Sequence, residues 1–110
     1  MMKKIYKEML GKRQLTEELL LACLVTCEGI ISDNAKWEKV YEYRQPARAL
    51  TYETERLEWS NCRKKLREAL QRRYEMKKII ALTKTQTAAV PKTTVKAVVE
   101  LIDSGDFTLI

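Results

Sequence analysis

An uninterrupted apolar run, Leu19–Val25, limits the folds that this chain can adopt. Its seven residues are far fewer than the roughly 20 that a membrane-spanning helix needs. Thr16 precedes the run as a helix N-cap, with Glu17 and Glu18 in the first turn, where the helix dipole favours carboxylates. The run therefore predicts a helix from Thr16 to about Ile31 that is apolar on most sides and lies at the centre of a helical bundle.

Apolar residues at helical spacing predict further helices on both sides of this one. Ile5, Met9 and Leu10 indicate a short first helix that ends at Gly11. The chain has only 3 Gly and 2 Pro, so its composition is compatible with long helices. The other predicted segments are a turn at 32–34, a helix at 37–43, a long helix at 47–82 with a candidate kink at 60–61, a loop at 83–94, a helix from Thr93 or Thr94 to Ser104, and an extended tail at 107–110.

Together these segments predict an all-α protein, a four- to five-helix bundle with one long basic helix and a short C-terminal helix. Residues 1–82 are expected to form the bundle, and residues 83–110 a loop and a C-terminal helix packed on the same single domain. The segment Met1–Glu8 lacks the apolar core of a signal peptide. With no membrane span in the sequence, this predicts a cytoplasmic protein with no membrane partner.

The net charge of the chain is concentrated in residues 63–78. This segment holds eight basic and two acidic residues, and its excess of six equals the net charge of the whole chain, +6. Drawn as one helix, it places five of the basic side chains on a broad polar face, which can follow a phosphate backbone and release counterions. The predicted contact residues are Arg63, Lys64, Lys65, Arg67, Arg72, Arg73, Lys77 and Lys78.

Two other interpretations of this charged segment stay open. A basic helix face is also typical of a surface that contacts only water, because Glu68 can pair with Lys64 and Arg72 along the helix. The same face can dock on an acidic protein surface. The charge pattern suits DNA, RNA and acidic protein partners equally.

A second candidate surface lies near the C-terminus. Residues 90–95 read Val-Pro-Lys-Thr-Thr-Val, which is an apolar residue followed by Pro, Lys, two Thr and Val. The segment ends with Gly105 and an extended stretch. Residues 90–107 resemble the recognition-helix half of a helix-turn-helix or winged-helix DNA-binding domain. The resemblance covers this part of the chain alone. It implies that Lys92, Thr93, Thr94 and Lys96 face DNA, where phosphates and base edges form hydrogen bonds.

The residue types argue against an enzyme. The chain has no His, which removes the usual general base, the Ser-His-Asp and Cys-His arrangements, and His-containing metal sites. Cys23 and Cys27 share one face of the apolar helix, which indicates buried free thiols, and with Cys62 they are too few for a four-thiolate zinc site. The sequence thus predicts a protein with no catalytic residues, no metal and no cofactor.

The leading hypothesis is a small basic non-catalytic protein that binds nucleic acid, or a nucleoprotein complex, through a cationic helix face. The alternative is a protein-protein adaptor or inhibitor, such as a phage or mobile-element accessory factor, that binds an acidic surface of a partner protein. In that alternative an apolar seam forms an interface, such as that of a homodimer. A chain without this interface would fold the seam against residues 19–31. The seam consists of Tyr52, Trp59, Leu66, Leu70 and Tyr74, and the homodimer would form through the first four of these.

Overall fold

Two helices of 25 residues each form the framework of the protein. The computed structural model describes residues 4–110, so the first three residues of the predicted 1–82 unit lie outside the described part. In chain order the elements are α1 (Lys4–Gly11), β1 (Gln14–Leu15), α2 (Glu17–Tyr41), α3 (Pro46–Leu70), α4 (Met76–Thr85), α5 (Lys92–Ser104) and β2 (Thr108–Leu109). The long helices α2 and α3 pack along each other as an antiparallel hairpin. The predicted all-α class is confirmed.

The start of α2 follows the predicted capping pattern. Thr16 has an extended backbone, and its hydroxyl accepts a hydrogen bond from the Leu19 N–H at 3.2 Å. This bond satisfies one of the N–H groups that a helix start leaves without a partner. Thr16 is thus confirmed as the N-cap.

The predicted turn at 32–34 was wrong, because α2 runs through it without interruption to Tyr41. Asn34 is buried there, and its Nδ2 donates to the Ile30 carbonyl at 2.9 Å, one turn earlier. The side chain that favours a turn in an isolated peptide is therefore satisfied within the helix. Packing along α3 outweighs the local preference, and the predicted helices at 16–31 and 37–43 are one.

The predicted long helix at 47–82 is, by contrast, two helices. The first, α3, continues through the candidate kink at Ser60 and Asn61 and ends at Leu70. A turn at residues 71–75 follows, in which the Arg73 and Tyr74 N–H groups donate to the Leu70 carbonyl. The chain then reverses into α4, which extends three residues into the predicted loop. The eight basic residues at 63–78 are therefore divided among α3, the turn and α4.

The C-terminal part of the chain packs on the long hairpin. Helix α5 begins at Lys92, directly after Pro91, and ends at Gly105, whose φ of 71° is the left-handed conformation that glycine accepts without strain. The predicted extended tail forms β2, which pairs in parallel with β1, a strand that was not predicted. Leu15 lies opposite Leu109 in that pair.

One hydrophobic core joins α2, α3, α4 and α5. The predicted seam belongs to it, since Trp59, Leu66 and Leu70 are buried against the apolar run of α2. The seam is used within the chain, so only the half-buried Tyr52 of the predicted homodimer interface remains partly accessible. The largest fully buried apolar side chains are Leu15, Leu19, Leu20, Leu24, Leu66, Leu70, Ile79, Val95 and Val98.

The core occupies only one end of the hairpin. Residues 32–58, which we call the arm, contribute no member to the core cluster, and their buried side chains are Asn34 and Ala49. The rest of the described chain is called the body. The molecule is accordingly elongated, with extents of 47 × 28 × 24 Å. None of the helices within residues 4–110 combines the length and the apolar character that a membrane span requires.

Candidate nucleic-acid interface

Three of the four predicted contact residues on α3 form ion pairs with acids of other helices. Arg63 and Arg67 both donate to Glu28 Oε1 of α2, at 3.2 and 3.1 Å. Lys65 pairs with Asp103 of α5 at 2.7 Å. These three cations hold neighbouring helices together, and only Lys64 of this group is exposed without an ion pair within the described residues.

The turn after α3 uses its two arginines to hold the C-terminal tail. Arg73 donates to Glu17 at 2.8 Å, to the Ile110 carbonyl at 2.9 Å and to the Leu109 carbonyl at 2.8 Å. The Arg72 guanidinium lies 4.5 Å from the centre of the Phe107 ring. Both predicted contact residues therefore have a structural role in the body.

The carboxylate of Glu17 is the centre of this arrangement. It also accepts a hydrogen bond from the Tyr74 hydroxyl at 2.8 Å. The hydrogen bonds from Arg73 and Tyr74 favour the ionised carboxylate and lower its pKa below the ordinary value of 4.5. The same bond raises the pKa of Tyr74, because it stabilises the protonated phenol.

The second predicted surface, at the start of α5, has some side chains exposed to solvent and one buried in the core. Thr93 is exposed, whereas Thr94 is fully buried, so the prediction that Thr94 faces DNA was wrong for this conformation. Lys92 pairs with Glu55 at 3.4 Å, and Lys96 pairs with Glu58, which raises the pKa of Lys96. The resemblance of residues 90–107 to a recognition helix stays a prediction.

Cations without an intramolecular acid are found on α3 and α4. Within residues 4–110, Lys64, Lys77, Lys78 and Lys84 are exposed and form no ion pair. Three of them are among the contact residues predicted from the sequence, and Lys84 is not. Helical spacing could have identified Lys84, because it lies seven residues after Lys77 and therefore on the same side of α4.

Two adjoining pockets connect these helices, and Arg67 lines both of them. One, of about 410 Å³, is lined by Arg63 and Lys64 of α3 and by Met76 of α4. The other, of about 240 Å³, is lined by Glu28 of α2 and by Ile80 and Lys84 of α4. We call the two pockets together the basic groove. Its lining includes the cations Arg63, Lys64, Arg67 and Lys84 and the carboxylates Glu28 and Glu68.

The arginines of the basic groove retain hydrogen-bonding capacity. Two guanidinium groups carry about ten N–H donors, and they share the single carboxylate of Glu28. Arg67 Nε is buried and has no hydrogen-bond partner within the described residues. The groove therefore offers an excess of positive charge and of donors to an anionic ligand.

The three thiols are not part of this surface. Cys23, Cys27 and Cys62 are buried and unbonded, as the sequence predicted for the first two. Burial raises the pKa of each thiol, that of Cys27 to about 12. They are protonated at neutral pH. The part of the chain that the structure describes has no cluster of three Cys, Asp or Glu side chains able to hold a metal ion.

Comparisons with protein-family models, with curated proteins and with solved structures find no match for this chain.

Proposed function

We propose that this protein is a small non-catalytic nucleic-acid-binding protein whose phosphate contacts come from the basic groove. The observation that supports this is the convergence of Lys64, Lys84 and the paired Arg63 and Arg67 on adjoining pockets, with Lys77 on the same side of α4 as Lys84. The sequence predicted one basic helix face as the contact surface. We propose the basic groove instead, because four of the eight predicted cations form ion pairs with acids of the same chain.

Phosphate is the ligand chemistry that suits this groove. Its oxygens accept hydrogen bonds from arginine in a bidentate geometry, and lysine adds a point charge. The ion pairs at Glu28 are partly exposed, with 39% of the Glu28 side chain accessible. Since exposed ion pairs contribute only about 0–1 kcal/mol, a polyanion can compete for the two arginines at little cost.

An acidic protein surface is the second candidate partner. It is favoured by the exposed Ile80, which lies beside Lys84 in the groove lining and gives an apolar contact that a phosphate backbone does not use. An adaptor or inhibitor of this kind would use the same cations. It would not bind isolated oligonucleotides, which separates the two candidates.

Fluorescence anisotropy with labelled duplex DNA, single-stranded DNA and RNA tests the proposal. About four to five phosphate contacts predict that log K falls with log[salt] with a slope of about −4 for a duplex. The triple variant K64E/K77E/K84E should lower affinity at low salt by about 100-fold or more and reduce the slope by about three.

The matched control is K4E/K7E/K12E, which changes the net charge equally but alters exposed positions on and next to α1. It should keep most of the affinity. Equal losses in the two triple variants would show that net charge, rather than the groove, carries binding. Absence of binding to all three nucleic acids at low salt would contradict the proposed function and favour an acidic protein partner.

A further inference from the structure

Three aromatic side chains of the arm stack on one another outside the core. Trp37 and Tyr41 of α2 have ring centroids 6.2 Å apart with an interplanar angle of 23°. Tyr41 and Tyr52 of α3 have centroids 5.9 Å apart and nearly parallel rings, at 8°. We call these three residues the aromatic ladder. Trp37 stands at one end of the ladder and is 43% exposed.

Cations accompany the ladder. The Arg48 guanidinium lies 4.2 Å from the centre of the Tyr41 ring, and Lys36 Nζ lies 5.8 Å from that of Trp37. Arg48 forms no ion pair within residues 4–110, so its charge remains available to an anion. The face therefore presents π surfaces and positive charge together.

The opposite face of the arm has a different chemistry. A groove of about 430 Å³ there has a lining that includes three acids, one lysine and an exposed leucine: Glu38, Glu42, Glu53, Lys39 and Leu50. Leu50 precedes Tyr52 by two positions, which places them about 160° apart around α3 (from about 100° per residue). This groove thus lies on the side of the arm that faces away from the aromatic ladder.

The flank that carries the ladder continues into the body. Trp59 follows Tyr52 by seven residues and so lies on the same side of α3. The Lys96 and Lys92 amines lie 4.7 and 5.9 Å from the centre of its ring. The same flank therefore joins the ladder to the exposed cations at the start of α5.

We infer that the aromatic ladder is a stacking platform for the bases of a single-stranded nucleic acid. Unpaired bases expose their π faces to aromatic side chains, whereas the bases of a duplex are already stacked on each other. Cations beside the rings contact the backbone that joins such bases. This inference rests on the proposed function and assigns its preferred ligand to single strands.

The test compares three probes of equal length: a single strand with bases, the corresponding duplex, and an abasic strand that keeps the phosphates. The variant W37L keeps an apolar side chain but removes the exposed ring. It should weaken binding of the base-bearing single strand by about 5- to 150-fold, the usual range for one stacked base. Binding of the duplex and of the abasic strand should change less than twofold.

The control variant is L50A, which alters an exposed apolar residue on the opposite face of the arm. It should leave all three affinities unchanged. Tryptophan emission gives a second readout. The part of the emission that W37L removes should be quenched by the base-bearing strand and not by the abasic one.

Several outcomes would overturn the inference. Equal loss of duplex and single-strand binding in W37L would show a contact that does not depend on bases. Self-association of the wild type that W37L abolishes, with strand binding unchanged, would show that a second copy covers the ladder. Salt-dependent binding of all three probes without any effect of W37L contradicts the platform alone, whereas no binding of any probe by the wild type contradicts the proposed function itself.

Discussion

The body and the arm contain parts of the same two helices, α2 and α3, but they differ in what covers those helices. In the body, α4, α5 and the two short strands close around them, and Leu24 and Leu66 are fully buried. In the arm the two helices pack on each other, and α5 adds the ion pairs of Lys92 with Glu55 and of Lys96 with Glu58. Large apolar side chains there, such as Leu50 and Leu57, remain more than half exposed.

Because of this difference, the body provides most of the folding stability, and the arm provides accessible aromatic and charged side chains. Burial of apolar side chains in the body supplies the main favourable free energy of folding. The arm buries little and exposes aromatic and charged groups, so local opening should cost least there. A region that contributes little to stability can keep side chains accessible to a ligand. The body instead uses several of its cations, among them Arg67 and Arg73, in internal ion pairs, and leaves others such as Lys64 exposed.

The largest expected effect concerns the core. L66A should lower the free energy of unfolding by about 2–5 kcal/mol, because it removes a fully buried side chain and leaves a cavity. L57A, the same change at an exposed position of the arm on the same helix, should stay within about 0.5 kcal/mol. Urea denaturation followed by circular dichroism measures both. Similar losses would show that the arm is as tightly packed as the body.

A smaller effect is expected where Arg73 holds the tail. R73A removes hydrogen bonds to Glu17 and to the carbonyls of Leu109 and Ile110, and should cost about 1–2 kcal/mol because the site is partly exposed. R44A is the control, since Arg44 lies exposed in the turn at the end of the arm. Thermal unfolding should separate the two variants. A change in R44A equal to that in R73A would remove the structural role assigned to Arg73.

The smallest expected effect is a pH dependence of the body. The pKa of Glu17 is lowered in the folded state, so its contribution is present above the unfolded value of 4.5 and is lost as the pH falls through the lower folded value. E17Q should therefore flatten the decline of stability with acid. E75Q, at an exposed residue that forms no ion pair in the described chain, should leave it unchanged. Denaturation midpoints between about pH 5 and pH 2 measure this, and parallel curves for wild type and E17Q would contradict it.

Much of the fold could be predicted from local patterns. The apolar run and its Thr16 cap mark the start of the central helix, and Gly105 marks the end of α5. Both signals are local, because a capping hydrogen bond and a left-handed glycine involve only residues that are close in the sequence. The end of α3 at Leu70 could not be predicted in this way. Residues 71–75 contain neither Gly nor Pro, and the reversal places Ile79 in the core, a contact with residues far away in the sequence.

The candidate surface, like the fold, was determined in part by the sequence and in part by contacts between distant residues. Sequence alone determined that the excess charge lies in residues 63–78 and that His-dependent chemistry is excluded, because charge and residue type do not depend on folding. Only the tertiary structure decided which cations remain available. The acids that neutralise Arg73, Arg67 and Lys65 come from positions 17, 28 and 103, and no local pattern relates them. Ion pairs form between side chains that are close in space, and the packing of α2, α3 and α5 sets that proximity.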